Sequence, residues 1–272
     1  MTNAEIFRKL HHAPPTLLLP NCWDAASARL FEVAGFPAIG TSSAALANVL
    51  GYADGQQLDL ETHFGMIENI VATVTVPVSV DFESGYATTP DELARNIHRL
   101  AALGVAGYNL EDSRHKGELY NLDEQTARIK AAKAAAPSLF LNARTDIMLD
   151  HIGEESTRFE RALDRLQAYL DAGADGIFLP GLTAAEPIGI VAKHFRKKPL
   201  NILAGPNTPS VPELQGLGVS RVSVGSGPYR RSMGVVRDIA RELRRDGTFG
   251  FTRDAHVSYD EANALFRERT AH

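Results

Sequence analysis

Cysteine is almost absent: Cys22 is the only one in 272 residues. An intrachain disulfide is therefore impossible, and so is a metal site built from several thiolates. No stretch approaches the roughly 18 consecutive apolar residues of a membrane-spanning helix. The opening MTNAEIFRKLHH has no apolar segment ahead of a small-residue cleavage site, so no signal peptide is expected. Positive charge is not in excess either. Lysine and arginine number 28 against 33 acidic residues, a formal charge of -5 with a pI near 6.0. That balance leaves no footprint for nucleic acid or an anionic membrane. No Pro/Gly/Ser-rich stretch is long enough to join two domains, and the prolines at 206–212 are read as shaping one loop. These absences predict a cytoplasmic chain with a small-molecule partner, folded as one domain over 1–272.

What is present is a repeated alternation. Short apolar runs at 16–19, 38–40, 78–80, 107–110, 140–142, 176–179, 200–203 and 221–224 are separated by longer stretches with helical spacing. Such runs suit strands buried on both faces, as in a parallel sheet. Eight of them with intervening helices predict a (β/α)₈ barrel of the TIM type, which at about 250 residues is an ordinary single domain. Thr89-Pro90-Asp91-Glu92 supplies a cap, a proline in the first turn and a glutamate three residues after the cap. Ser258-Tyr259-Asp260-Glu261 repeats the cap pattern for a last helix to about Arg269, and 251–272 is expected to be a helical extension outside the barrel. Four segments, AGFPAIG, LGVAGYNL, AGADGIFL and LGVSRVSV, share a glycine suited to a left-handed helix end, followed by an apolar strand.

Charge appears where three strands end. Val80 runs into Asp81-Phe82-Glu83, Leu110 into Glu111-Asp112, and Ala143 into Arg144-Thr145-Asp146. In a (β/α)₈ barrel those C-terminal ends converge on one face, where active sites lie. Asp81, Glu83 and Glu111 would then crowd together, and like charges that close repel unless a proton or cation intervenes. A hard cation such as Mg²⁺ answers this, taking one or two carboxylates directly and the rest through water. The competing reading is that these acids cap helices or pair with lysines at the rim. Arg144 is open to two readings as well: a structural ion pair, or a planar fork for a substrate carboxylate. The turn Thr41-Ser42-Ser43-Ala44 offers hydroxyls and amides suited to an anionic oxygen, although serine-rich turns are common.

These residues carry a resemblance. The chain resembles the isocitrate lyase/phosphoenolpyruvate mutase superfamily over about residues 17 to 245. Asp81-Phe82-Glu83-Ser84-Gly85-Tyr86 is similar to its D-x-D-x-G-Y metal signature, with glutamate at the second acid. Leu110-Glu111-Asp112 resembles its E-D pair and Ala143-Arg144-Thr145-Asp146 its A-R-T-[DE] strand end. Ser42 matches a substrate-binding serine and Asp54 a further active-site aspartate. The resemblance implies a Mg²⁺-dependent enzyme, with Mn²⁺ as the alternative ion, that makes or breaks a bond beside the carbonyl of a 2-oxo acid. It implies Asp81, Glu83 and Glu111 as metal organisers. Ser42, Ser43, Ala44, Asp81 and Arg144 are implied as substrate contacts. Asp54, Glu111 and Arg144 are implied in catalysis, with Lys116 of the loop as a further catalytic candidate, and the assembly is implied to be a homodimer or homotetramer of a kind that often exchanges a C-terminal helix.

Departures from the pattern narrow the reaction. The lyases' K-[KR]-C-G-H loop is replaced by Ser113-Arg114-His115-Lys116-Gly117-Glu118-Leu119-Tyr120-Asn121, without cysteine, which argues against an isocitrate lyase. His115 and Lys116 are read either as groups that act on loop closure or as solvated loop charges. Cys22 reads as a small buried residue. Gly40 replaces an aromatic, which suggests extra room for a dicarboxylic 2-oxo acid, with Trp23 either filling part of it or packing the barrel top. The leading expectation is a lyase or decarboxylase on a 2-oxo or 2-hydroxy dicarboxylate. Phosphonopyruvate-type P–C chemistry, a ketopantoate hydroxymethyltransferase-like aldol reaction and a non-catalytic 2-oxo acid binder stand as alternatives; the Arg144 motif argues against the aldol reading.

Overall fold

Residues 1–253 and 257–267 are described by the computed structural model. Its strands are β1 (Leu17–Leu19), β2 (Asn21–Cys22), β3 (Ile39–Thr41), β4 (Val78–Asp81), β5 (Gly107–Glu111), β6 (Ser113–His115), β7 (Glu118–Leu119), β8 (Phe140–Arg144), β9 (Gly176–Phe178), β10 (Leu200–Leu203) and β11 (Arg221–Ser223). Nine of them form one parallel sheet in the order β1-β11-β10-β9-β8-β5-β4-β3-β2. The two ends of that order are successive pieces of one chain segment, divided by Pro20. Proline cannot donate to a ladder, so β1 pairs with β11 and β2 with β3, while the Pro20 carbonyl still accepts from the Gly40 amide at 2.8 Å. The sheet is a nearly closed (β/α)₈-type barrel, and each of the eight expected strands is present to within two residues. The small antiparallel hairpin β6–β7 is an addition to that expectation.

The helices are α1 (Asn3–Leu10), α2 (Ala25–Val33), α3 (Ser43–Val49), α4 (Leu60–Val71), α5 (Pro90–Ala102), α6 (Leu122–Ala135), α7 (Glu155–Asp171), α8 (Ala185–His194), α9 (Val211–Leu217), α10 (Gly227–Arg245) and α11 (Tyr259–Ala264). Thr89 caps α5 in a reciprocal box with Glu92, as its sequence requires. Gly35, Gly104, Gly173 and Gly218, the repeated glycines after α2, α5, α7 and α9, all take positive φ, from +81° to +106°. Helix α11 starts at the Ser258 cap but stops at Ala264, short of the expected end; Arg269 lies outside the described residues. Among the described residues no helix is long and apolar enough to cross a membrane.

Two apolar layers hold the barrel. Outward side chains such as Val80, Tyr108, Leu141, Ile177 and Ile202 pack beneath helix residues Ile67, Ile97, Ile129, Leu166 and Ile188. A second cluster of Phe7, Leu17, Leu19, Ala38, Ala106 and Phe140 fills the end where the strands begin. Phe7 on α1 meets the Phe140 ring edge-on at 5.7 Å. Gly107 is obligatory beside it, because a Cβ there would lie 2.6 Å from the Phe140 carbonyl and 3.0 Å from Phe7. With one end stoppered by α1, the opposite end is left for ligands.

Candidate active site

Side chains alternate along a strand, so Asn109 and Glu111 share the inner face of β5, and Asn142 and Arg144 that of β8. Register places Asp81 beside Asn109, Asn109 beside Asn142, and Glu111 beside Arg144. The inner faces therefore deliver acids and a guanidinium to one mouth. An open cavity of about 1440 Å³ lies there, lined by Asp54, Asp81, Glu83, Glu111, Arg144 and Asp146 among others.

Arg144 is the centre of this cluster. Its Nε donates to Asp146 at 2.6 Å, and its Nη1 lies 3.2 Å from Glu111 and 3.7 Å from Asp81. Among the described residues Nη2 meets no acceptor. Asp81 accepts from the Ser43 hydroxyl at 2.8 Å and amide at 3.3 Å on one oxygen, and from Asn109 Nδ2 at 3.2 Å on the other. Glu83 sits at φ +47°, and its carbonyl accepts from the Glu111 amide at 2.9 Å. Its carboxylate accepts from the Gln56 amide at 2.8 Å and from the Tyr86 hydroxyl. Tyr86 in turn takes a 2.6 Å bond from His63 Nδ1. Burial brings His63 down to about 4, with Asp81 pulling the other way, so this imidazole is neutral.

The electrostatics carry a surplus of negative charge. Burial, with Asp81 and Asp54 close by, pushes Glu83 up to about 7. Burial holds Glu111 well above the carboxylate range despite Arg144. Asp54 is raised by partial shielding in the mouth and by Asp81. Burial opposes the Arg144 charge, but Asp146, Glu111 and Asp81 outweigh it. Two carboxyls reluctant to ionise lie beside a guanidinium already shared by three acids, so the mouth holds more acid than its one arginine can neutralise. Among the described residues no three His, Cys, Asp or Glu side chains are placed to hold an ion together. An ion here would rest on fewer direct ligands, with other acids reaching it through water.

Other sequence-derived expectations land as follows. The Ser42 oxygen caps α3, accepting from the Ala45 amide at 3.4 Å, so Ser43 is the serine that touches an acid of the site. Ala44 lines the mouth, as do His115 and Lys116, both exposed on the β6–β7 hairpin. The extra room expected at Gly40 is not there: a Cβ would already meet Asn21 at 3.0 Å and Leu19 at 3.1 Å. Trp23 packs on Tyr229, ring centres 5.5 Å apart, and does not line the cavity. Cys22 is fully buried, and burial pushes its thiol above the usual range. Asp112, second of the E-D pair, turns away from the mouth. It is fully buried, bonded to Arg165 at 2.8 Å and Tyr169 at 2.6 Å, and it accepts from the Asp146 amide at 3.0 Å. It thereby anchors the residue that holds Arg144. Asn109 and Gln56 went unread in the sequence. Asn109 at least left a signal, since alternation along β5 puts it on the same face as Glu111.

The sequence pattern of the phosphoenolpyruvate phosphomutase family matches residues 7–244. An uncharacterised protein of Mycobacterium tuberculosis is 35% identical over 87% of this chain and 88% of its own. The oxaloacetate decarboxylase of a Bradyrhizobium strain is 29% identical over 82% of this chain and 78% of its own. The phosphonopyruvate hydrolase of a Variovorax strain is 28% identical over 81% and 79%. Among solved structures, a Burkholderia cenocepacia protein whose assignment goes no further than lyase/mutase superposes with a TM-score of 0.90 at 36% identity, covering 99% of this chain and 98% of that one. A 2,3-dimethylmalate lyase superposes with a TM-score of 0.84 at 27% identity, over 98% and 95%.

Proposed function

The chain belongs to the phosphoenolpyruvate phosphomutase family, and from that premise we propose that it is a Mg²⁺-dependent lyase or decarboxylase acting on a small 2-oxo or 2-hydroxy dicarboxylic acid. The observation that carries this reading is Arg144, held by Asp146 and Glu111 with Nη2 turned to no acceptor among the described residues. A guanidinium so fixed is suited to a substrate carboxylate. The surplus of acids around it fits a divalent cation, with Asp81 as first ligand and Glu83 and Glu111 organising it through water. Mg²⁺, or Mn²⁺ in its place, would supply positive charge where negative charge develops beside the carbonyl.

The chain's own groups do the rest. The Ser43 hydroxyl and amide fix Asp81, and Ser42 and Ala44 offer donors at the start of α3 to an anionic substrate oxygen. Asp54, whose carboxyl sits above its ordinary range, is assigned the proton delivered to carbon after bond cleavage. Lys116 contributes a cationic contact from the hairpin. The phosphonate alternative draws on Lys116 and Asn121 in this loop. Asn121, however, is spent as the cap of α6, accepting from the Glu124 amide at 2.8 Å. We further place the protein in the cytoplasm as a homodimer or homotetramer, one barrel domain over 1–272 whose 251–272 segment is exchanged between subunits.

A panel of oxaloacetate, 2-oxoglutarate, 2-alkylmalates and phosphonopyruvate, scored by thermal shift with and without Mg²⁺ and then by turnover, tests the assignment. A C4 or C5 dicarboxylate should be cleaved only with the metal, and Asp81→Ala should remove that metal dependence. Turnover of phosphonopyruvate alone, or turnover of any acid undiminished in EDTA, would overturn it.

A further inference from the structure

The inside of a (β/α)₈ barrel is ordinarily packed with branched apolar residues. Here β11 sends Arg221 into it, 1% exposed. Among the described residues no carboxylate pairs with this guanidinium, and its Nε and Nη1 are buried without a protein partner. Below it lies the Phe7 ring, 5.9 Å away. Burial lowers its pKa only to about 9, with Asp81 the acid that opposes the fall, so it remains a cation at neutral pH. A lone buried charge with unmatched donors is costly to keep. A methionine or leucine would pack the same space without that cost.

What the guanidinium does make is one directed bond. Its Nη2 donates to Asn109 Oδ1 at 3.2 Å, and Asn142 Nδ2 donates to the same oxygen at 2.9 Å. Two donors on one oxygen settle which way the amide faces, since a turned amide would set its NH₂ against both. In that orientation Asn109 Nδ2 points at Asp81 Oδ1, 3.2 Å away. Ser43 holds the other oxygen of Asp81. The carboxylate is thus gripped from both sides, and one grip is set from inside the barrel.

We propose that Arg221 is a positioning residue for Asp81, acting through the Asn109 amide and retained at a cost in stability. The functional part of this rests on the reading of Asp81 as the first ligand of the divalent cation; the geometric part does not. Arg221→Met keeps the length of the side chain and removes its charge and donors. Its melting temperature in EDTA should equal or exceed that of the parent. Mn²⁺ affinity, read directly by electron paramagnetic resonance, should fall about tenfold, with Arg221→Lys between. Asn109→Leu and the Asn109→Leu/Arg221→Met double variant, which leaves no unpaired guanidinium to impair folding, should weaken Mn²⁺ binding no further than the stronger single change, because they cut one path. Mn²⁺ affinity within twofold of the parent in Arg221→Met, or losses that add in the double variant, would overturn the relay. Should the parent itself bind no Mn²⁺, the metal reading fails, and the relay is judged by crystal structures of Arg221→Met and the double variant. Asp81 released from residue 109 and turned to a new rotamer supports it; Asp81 unmoved overturns it.

Discussion

Glu83 has a positive φ, a buried carboxyl and two donors that favour its charged form, yet burial still lifts it to about 7. The sign of its contribution follows. Its folded-state pKa exceeds the unfolded value of about 4.3, so between those values the folded chain holds a proton that the unfolded chain has released. Stability then falls as pH rises from about 4.3 to about 7, and the loss is complete above that. In EDTA, the melting temperature of the parent should drop across this window, and Glu83→Gln should lessen the drop. Added Mg²⁺ should restore the parent above pH 7 more than it restores the variant. Parallel curves for the two proteins would show that Glu83 is not the titrating group. Asp81, Glu83, Glu111 and Arg144 are legible in the sequence because a strand buried on both faces rarely ends in charge unless that charge has a partner or a ligand to meet. Asn109 is marked only by sharing a face of β5 with Glu111, because a neutral amide inside an apolar run carries no charge to draw attention to it. Asp112 misleads for the opposite reason: its charge is conspicuous, but Arg165 and Tyr169 consume it.

At the level of elements, the eight barrel strands announce themselves through burial on both faces, and the glycine-terminated helices between them through repetition. Two elements did not. Helix α1 has its own reciprocal cap between Thr2 and Glu5, but it is short, and a single buried phenylalanine gives no period to detect. The β6–β7 hairpin is half exposed and polar, and only the turn at Gly117, φ +81°, stamps it. The α1 stopper makes a sharp prediction nonetheless. Phe7 is completely buried against Leu17, Leu19, Ala38, Ala106 and Phe140. Phe7→Ala should cost about 3–5 kcal/mol of unfolding free energy, the range for truncating a core phenylalanine. Because the cavity of the candidate site opens at the other end of the strands, and Phe7 meets its machinery only as the ring 5.9 Å beneath Arg221, the folded fraction should keep its Mg²⁺ dependence, with turnover changed less than in Arg221→Met. Urea denaturation and steady-state kinetics on the same preparation separate the two. An unchanged midpoint would mean that α1 does not stopper the barrel.

At the scale of the whole molecule, α10 is the element out of balance. It runs for 19 residues, and none of them is buried, although helices around a barrel ordinarily spend one face on the sheet. Tyr229, Met233, Val236, Ala240 and Leu243 follow one another at steps of four and three, the spacing of a single apolar stripe. Met233 is 49% exposed, Val236 64% and Leu243 43%. From Met233 onward this stripe faces water, as surfaces that meet a partner commonly do. A second copy of the chain is the occupant that the proposed homo-oligomer supplies. Light scattering coupled to size exclusion should therefore return at least a dimer for the parent. Val236→Glu, which buries a charge against an apolar partner in any such assembly, should return a monomer with an unaltered far-ultraviolet spectrum. If the parent elutes as a monomer, or if Val236→Glu leaves the assembly intact, the stripe is not the contact between copies. The barrel would then carry an exposed apolar stripe for which the candidate site supplies no use.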